Sequence, residues 1–228
     1  MTAVLTYHGH ACFSVEGAGK TIWLDPFLTG NPQAEIQADD VKDADYILVS
    51  HGHGDHLGDA VPMAQMTGAT IISNHEIASY CQEQGAAAHG LHIGGGYQFP
   101  FGRVKMTMAH HGCSLPDGSY GGNPGGFLFD IEDKRIYFAA DTALFYDMKL
   151  LGEEKAIDVA LLPIGDNYTM GPDDALKAVQ LLTPRLVIPM HYNTFDVIEQ
   201  DPHAFADRVK ASTPADCVVL SPGESISF

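Results

Sequence analysis

Four side chains able to bind a metal fall within six residues of this chain. They are His51, His53, Asp55 and His56, in the run Ser50-His51-Gly52-His53-Gly54-Asp55-His56-Leu57. The run follows the apolar stretch Tyr46–Val49 and precedes a helix-like segment, so it reads as a loop at a strand end. Strand ends are where α/β scaffolds place their chemistry. The interleaved Gly52 and Gly54 permit a tight backbone path, which lets the side chains converge instead of alternating across a strand. Imidazole and carboxylate together suit zinc, with manganese, iron and nickel as alternatives.

The same context recurs. His110 and His111 follow the apolar run Val104–Met108, Asp141 follows Arg135–Ala139, and His191 follows Leu186–Met190. Four strand ends each carrying a candidate ligand supply enough donors for two metals.

Short runs rich in β-branched and aromatic residues, bounded by Gly, Pro, Asp or Asn, mark strands throughout the chain. Tyr46–Val49 and Val159–Leu162 are apolar without alternation, as expected for strands covered on both faces. Helical segments lie between them. In the clearest, Ala175, Ala178, Val179 and Leu182 repeat at helical spacing behind Gly171-Pro172, with Asp173 and Asp174 in the first turn. Weaker helical patterns cover residues 58–66, 75–84, 144–151 and 202–210. Two packed sheets with helices outside, or one doubly wound sheet, both satisfy this alternation. No low-complexity linker divides the chain, which reads as one domain over residues 1–228.

Composition narrows the partners. With 12 Lys and Arg against 29 Asp and Glu, the net charge of −17 argues against nucleic acid, whose binders carry basic patches. It argues equally against docking on an anionic membrane, and no apolar run is long enough to span one. An anionic substrate stays open, because a bound metal inverts the local field. Cys12, Cys81, Cys113 and Cys217 form no CxxC pair and read as free thiols of a cytoplasmic protein. Homo-oligomerisation is left open.

Larger segments carry a resemblance. They are Trp23-Leu24-Asp25-Pro26-Phe27, the HGHGDH run, Tyr120-Gly121-Gly122-Asn123-Pro124-Gly125-Gly126-Phe127, Ala140-Asp141-Thr142, Leu162-Pro163-Ile164-Gly165-Asp166-Asn167 and Pro189-Met190-His191-Tyr192-Asn193. Through them, from about residue 5 to about 205, the chain resembles the metallo-β-lactamase superfamily. More narrowly it is similar to small metal-dependent hydrolases related to ascorbate-6-phosphate lactonases. The resemblance implies a four-layer αββα sandwich, two mixed β-sheets flanked by helices. It implies two divalent metal ions, one held by His51, His53 and a His after the Val104–Met108 strand, the other by Asp55, His56 and His191. Asp141 would bridge them. Asp55 is also the expected orienter or proton acceptor for the water that supplies a metal-bridging hydroxide. Asp25 would support a ligand, and His10 would line the pocket.

Two departures from the family pattern stand out. Ala-x-His-Ser-Ser is replaced by Ala109-His110-His111-Gly112-Cys113, and Ala140 stands where Gly is common. Aligning on Ala109 makes His111 the ligand, whereas strict alternation from Met108 would choose His110; His111 is favoured if the strand ends by Ala109. His8 matches no family position and reads as structural, as does Cys113. The loops holding Tyr120 and Asn123, and Asp166 and Asn167, are the expected substrate contacts. The expected activity is hydrolysis of a small-molecule ester, lactone or phosphodiester. The alternatives are a nuclease, an iron-dependent redox enzyme of the same fold, or a non-catalytic metal-binding protein.

Overall fold

A computed structural model describes residues 2–228. Fourteen strands form two seven-stranded sheets. The first half of the chain supplies β1 (Val4–Tyr7), β2 (Phe13–Gly17), β3 (Lys20–Leu24), β4 (Tyr46–Leu48), β5 (Thr70–Asn74), β6 (Ala88–Leu91) and β7 (Gly96–Phe99). Then come β8 (Gly102–Met108), β9 (Gly125–Ile131), β10 (Lys134–Phe138), β11 (Val159–Pro163), β12 (Leu186–Met190), β13 (Asp216–Cys217) and β14 (Ser225–Ser227). One sheet runs β14-β1-β2-β3-β4-β5-β6, the other β13-β12-β11-β10-β9-β8-β7. Each mixes antiparallel hairpins with parallel crossovers, which resolves the fold as two packed sheets.

Helices α1 (Gly54–Leu57), α2 (Ala60–Thr67), α3 (His75–Glu83), α4 (Met148–Glu154), α5 (Pro172–Leu182) and α6 (Pro202–Ser212) complete the chain. The layers follow from which face each side chain serves. Leu48 and Tyr46 pack between the sheets, whereas Ile47 and Val49 pack outward beneath α2 and α3. In the other sheet Val159 and Leu161 face the inter-sheet core, and Ala160 and Leu162 face α4, α5 and α6. A strand covered on both faces has no solvent side, so its apolar run does not alternate. Burying Val179 and Leu182 of α5 contributes about 1.5–3 kcal/mol each.

Local signals set the helix ends. Pro172 opens α5, where its missing N–H costs nothing, and Asn74 caps α3 by accepting the Ile77 N–H. Composition alone does not mark β6, β7 and β14 as strands. Their apolar content is thin, as in Ala88-His89-Gly90-Leu91 and Ser225-Ile226-Ser227, and sheet pairing makes them strands. Strand β13 is only two residues long, Asp216–Cys217.

Candidate metal centre

Two elements of the first sheet prepare the centre. Strand β3 pairs with β4 so that Leu24 faces Leu48, which carries Asp25 beside the loop that follows β4. The buried Asp25 carboxylate accepts hydrogen bonds from the Ser50 N–H (2.7 Å) and the Ser50 hydroxyl, and lies 2.7 Å from His56 Nδ1. It therefore grips both ends of the His51–His56 run, in the manner of carboxylates that orient metal-bound imidazoles. Gly52 passes so close to the Ser114 carbonyl that a Cβ would sit 2.8 Å from it. The short helix α1 then turns Asp55 and His56 inward. It ends at Gly58, whose φ of +42° and contact with the Pro26 carbonyl leave no room for a side chain.

The second sheet delivers one side chain per strand end. His111 follows β8, Asp141 follows β10 and His191 follows β12. Around Asp141 these meet the first sheet's loop: Oδ2 lies 3.0 Å from His191 Nε2 and 3.5 Å from His111 Nε2, and Oδ1 lies 3.3 Å from His56 Nε2. Donor atoms of His51, His53 and His111 lie within 4.8 Å of one another. Donor atoms of His10, Asp55, His56 and His191 do the same, and Asp141 reaches a member of each group.

This donor set fits divalent cations. His56 Nε2 and Asp141 Oδ1 are buried without a hydrogen-bond partner, because the ring nitrogen and the carboxylate approach each other off the hydrogen-bonding direction. Two buried polar atoms left unpaired cost free energy unless something else satisfies them. Charge tells the same story. Burial pushes the Asp141 carboxyl up, but the His191 and His56 imidazoles outweigh it and hold its pKa well below the ordinary value. Burial pulls His56 down, but Asp141 and Asp25 outweigh it and raise its affinity for a proton. His51 is lowered by burial and by His56, so it stays neutral and ready to coordinate. The buried carboxylate of Asp141 thus draws positive charge to this spot, which in the metal-free protein comes from the neighbouring imidazoles.

Strand β8 ends at Met108, and the next residues turn. His111 consequently joins His51 and His53, while His110 lies outside, stacked on Phe145 at 5.1 Å with its backbone N–H donated to Thr142 Oγ1. His10 is fully buried, 3.2 Å from Asp55 Oδ2 and 2.8 Å from Thr194 Oγ1. Burial and the neighbouring His191 bring its pKa down to about 4. Asp55 is pushed up by burial, but the hydrogen bond with His10 prevails and its pKa falls below the usual carboxylate range. His8, two residues earlier, points to the opposite face of the sheet, between Glu35 and Ser14 and stacked on Trp23. Cys113 accepts the Gly52 N–H and donates to the Gly121 carbonyl, tying the ligand loop to the Gly121 loop.

A cavity of about 360 Å³ opens over His53, Asp55, His111, Asp141 and His191, with Tyr168, Phe195 and Val197 as its remaining lining. The expected substrate contacts need correction here. Tyr120, Asn123, Asp166 and Asn167 are not among the residues lining the cavity, and His10, expected to line the pocket, is buried behind it against Asp55. The Asn123 carbonyl accepts from Asn74 Nδ2, so its loop is tied down against α3. Asp166 and Asn167 adopt left-handed φ values of 61° and 47° and shape the turn that presents Tyr168. Phe195 and Val197 were missed. Their signal was two large apolar residues in a segment directly behind a ligand-bearing strand end.

Backbone strain collects at this end. Among the described non-glycine residues with left-handed φ are His10, Asp25, Ala140, Asp166, Asn167, His191 and Asn193, all at or behind the ends of strands that converge on the centre.

Two seven-stranded mixed sheets between helices, with a His and Asp cluster at the shared strand ends, define a metallohydrolase of the metallo-β-lactamase class. A sequence profile of the Beta-lactamase superfamily domain matches residues 4–191. The chain belongs to that superfamily and, within it, to the UPF0173 metal-dependent hydrolases. A member from Pelotomaculum thermopropionicum is 53% identical over 228 residues, covering 98% of this chain and 99% of the relative. A solved metallo hydrolase from the hyperthermophilic archaeon Ignicoccus hospitalis superposes with a TM-score of 0.92 at 39% identity, covering 100% of this chain and 99% of that one. An isothiocyanate hydrolase from Delia radicum gut bacteria shares the fold at a TM-score of 0.77 and 20% identity, covering 99% of this chain and 98% of that one.

Proposed function

We propose that this metal-dependent hydrolase is dinuclear, with zinc as its first candidate metal and manganese, iron or nickel as alternatives. The observation that carries the reading is the pair of donor sets, each with a member in contact with Asp141. His51, His53 and His111 would hold one ion, Asp55, His56 and His191 the other, with Asp141 shared. Divalent metals of this kind lower the pKa of bound water to about 7 and polarise the group under attack.

The protein's own residues do the rest. Asp55 borders the cavity, is held ionised by His10, and serves as orienter or proton acceptor for the attacking water. Asp25 and Ser50 keep the His56 ring in place. The substrate is a small-molecule ester, lactone or phosphodiester, for which a cavity of about 360 Å³ is of suitable size. The net charge of −17 disfavours nucleic acid. Among the described residues no helix is long and apolar enough to cross a membrane.

Metal analysis tests the count and an ester, lactone and phosphodiester panel tests the chemistry. The expected result is about two metals per chain, at least one lost in His53→Ala, and turnover abolished by chelation. One metal per chain in fully active protein would sink the dinuclear reading. Failure across the whole panel would sink the hydrolytic one.

A further inference from the structure

The mouth of the cavity is apolar and carries no Lys or Arg. Tyr168, Phe195 and Val197 are 57%, 41% and 58% exposed. Large apolar side chains grouped at a cavity mouth mark a contact surface. The backbone presents them firmly. The turn under Tyr168 is closed by Asp166 N–H to Met170 O at 3.1 Å and Thr169 N–H to Asp166 O at 3.1 Å. The turn behind Phe195 is closed by Ile198 N–H to Phe195 O at 3.0 Å and Asn193 N–H to Ile198 O at 2.9 Å. The Phe195 ring stands edge-on to His10, 5.6 Å between centroids, so it is seated against the centre itself.

Charge points the same way. Among the residues lining the cavity there is no Lys or Arg. Lys20, Arg103, Lys134, Arg135, Lys155 and Arg185 stand at or before the starting ends of β3, β8, β10, β11 and β12, away from the ligand ends. An adjoining groove that shares Phe195 carries Asp196, Glu199 and Asp201. A metal pair would hold the one oxygen under attack. Nothing in the lining would clamp a second anionic oxygen as Arg does.

From this rim, and resting on the hydrolytic reading above, we infer that the site takes an uncharged ester or lactone whose acyl chain is apolar, in preference to an anionic substrate. Hydrolysis consumes one water. The acyl carbon–oxygen bond breaks, the hydroxyl joins the acyl carbon and the proton goes to the departing oxygen.

A matched pair tests this on the zinc-loaded protein. 4-Nitrophenyl hexanoate and the 4-nitrophenyl monoester of adipic acid share the scissile group and chain length, and differ by one terminal carboxylate. The neutral ester is expected to have at least a tenfold higher kcat/KM. Along the 4-nitrophenyl acetate to octanoate series, kcat/KM rises roughly two- to fourfold per methylene while the chain stays on the rim. Phe195→Ala flattens that series, and Val197→Lys narrows the neutral-to-anionic ratio in a salt-dependent way.

Affinity of alkyl hydroxamates of the same chain lengths, which chelate metal whether or not turnover occurs, gives a second readout by calorimetry. Preference for the adipate ester overturns the inference and leaves hydrolysis standing. No ester turnover with hydroxamate affinity that still rises with chain length overturns the esterase reading and keeps the apolar rim. Chain-independent hydroxamate affinity overturns the rim itself.

Discussion

The loop behind β4 brings His51, His53, Asp55 and His56 to the centre within six residues, whereas the other sheet sends His111, Asp141 and His191 from three separate strand ends. The first arrangement is local. Its geometry depends on Gly52 and Gly58, on the single turn of α1, and on Asp25 holding Ser50 and His56. The second is tertiary. Its three residues meet only because β8, β10 and β12 lie in register in one sheet that packs against the other. The loop therefore needs only its immediate neighbours to bring four donors together, while the other half exists only in the folded sandwich. Asp141 is where the halves meet, with His56 from the loop and His111 and His191 from strand ends within 3.5 Å of its two oxygens.

Asp141→Asn is the change that most directly breaks this division. It removes the one carboxylate facing both donor sets, and metal content is expected to fall from about two per chain to well under one, with activity lost to background. Retention of two metals would show that the halves bind independently. Next in size is the His110 and His111 pair. His111→Ala is expected to lose about one metal while His110→Ala keeps both, since only His111 lies with His51 and His53. Equal losses would mean that the turn after Met108 is not fixed by the strand's end.

Support is a smaller matter than ligation. Asp25→Asn keeps the shape of the side chain and removes its charge, so the buried contact with His56 Nδ1 weakens while the fold persists. Metal affinity, read by chelator competition, is expected to drop roughly 10- to 100-fold. A loss confined to the ion held by Asp55, His56 and His191 would confirm that Asp25 acts through His56. An unchanged affinity would reduce Asp25 to packing.

The same division explains what was legible beforehand. The local half could be read directly, because HxHxDH behind an apolar run specifies both the candidate donors and the backbone path that brings them together. In the tertiary half, Asp141 and His191 were readable through their strand contexts. The choice between His110 and His111 turned on where β8 ends, a one-residue question that hydrophobic alternation does not answer. The αββα order needed the family resemblance, since alternating strands and helices fit two architectures. Strands β6, β7 and β14 were invisible because pairing, not composition, makes them strands. The cavity lining differs from the expected substrate loops for a related reason. Tyr120 and Asn123 carry donors suited to substrate, yet hydrogen bonding to α3 holds the Asn123 backbone down, and the apolar Phe195 and Val197 border the opening instead.

The smallest effect is expected at Ala140, and it bears on how rigidly the tertiary half is built. Ala140 sits at φ 52°, fully buried, one residue before Asp141. A left-handed alanine is strained by about 1–2 kcal/mol, which glycine would relieve. Against this, glycine gives up a buried methyl worth about 0.8 kcal/mol. It also frees the unfolded chain, at a cost of about 0.4–1 kcal/mol. These terms nearly cancel. Ala140→Gly should change stability by no more than about 1 kcal/mol, a shift of about 2–4 °C in Tm for a chain of this size. Metal content should be unchanged, because the Asp141 position is also fixed by its neighbours His56 and His191. A larger loss of stability, or loss of a metal, would mean that the Ala140 methyl itself positions Asp141, and that the strand-end half of the centre depends on local packing as much as the loop does.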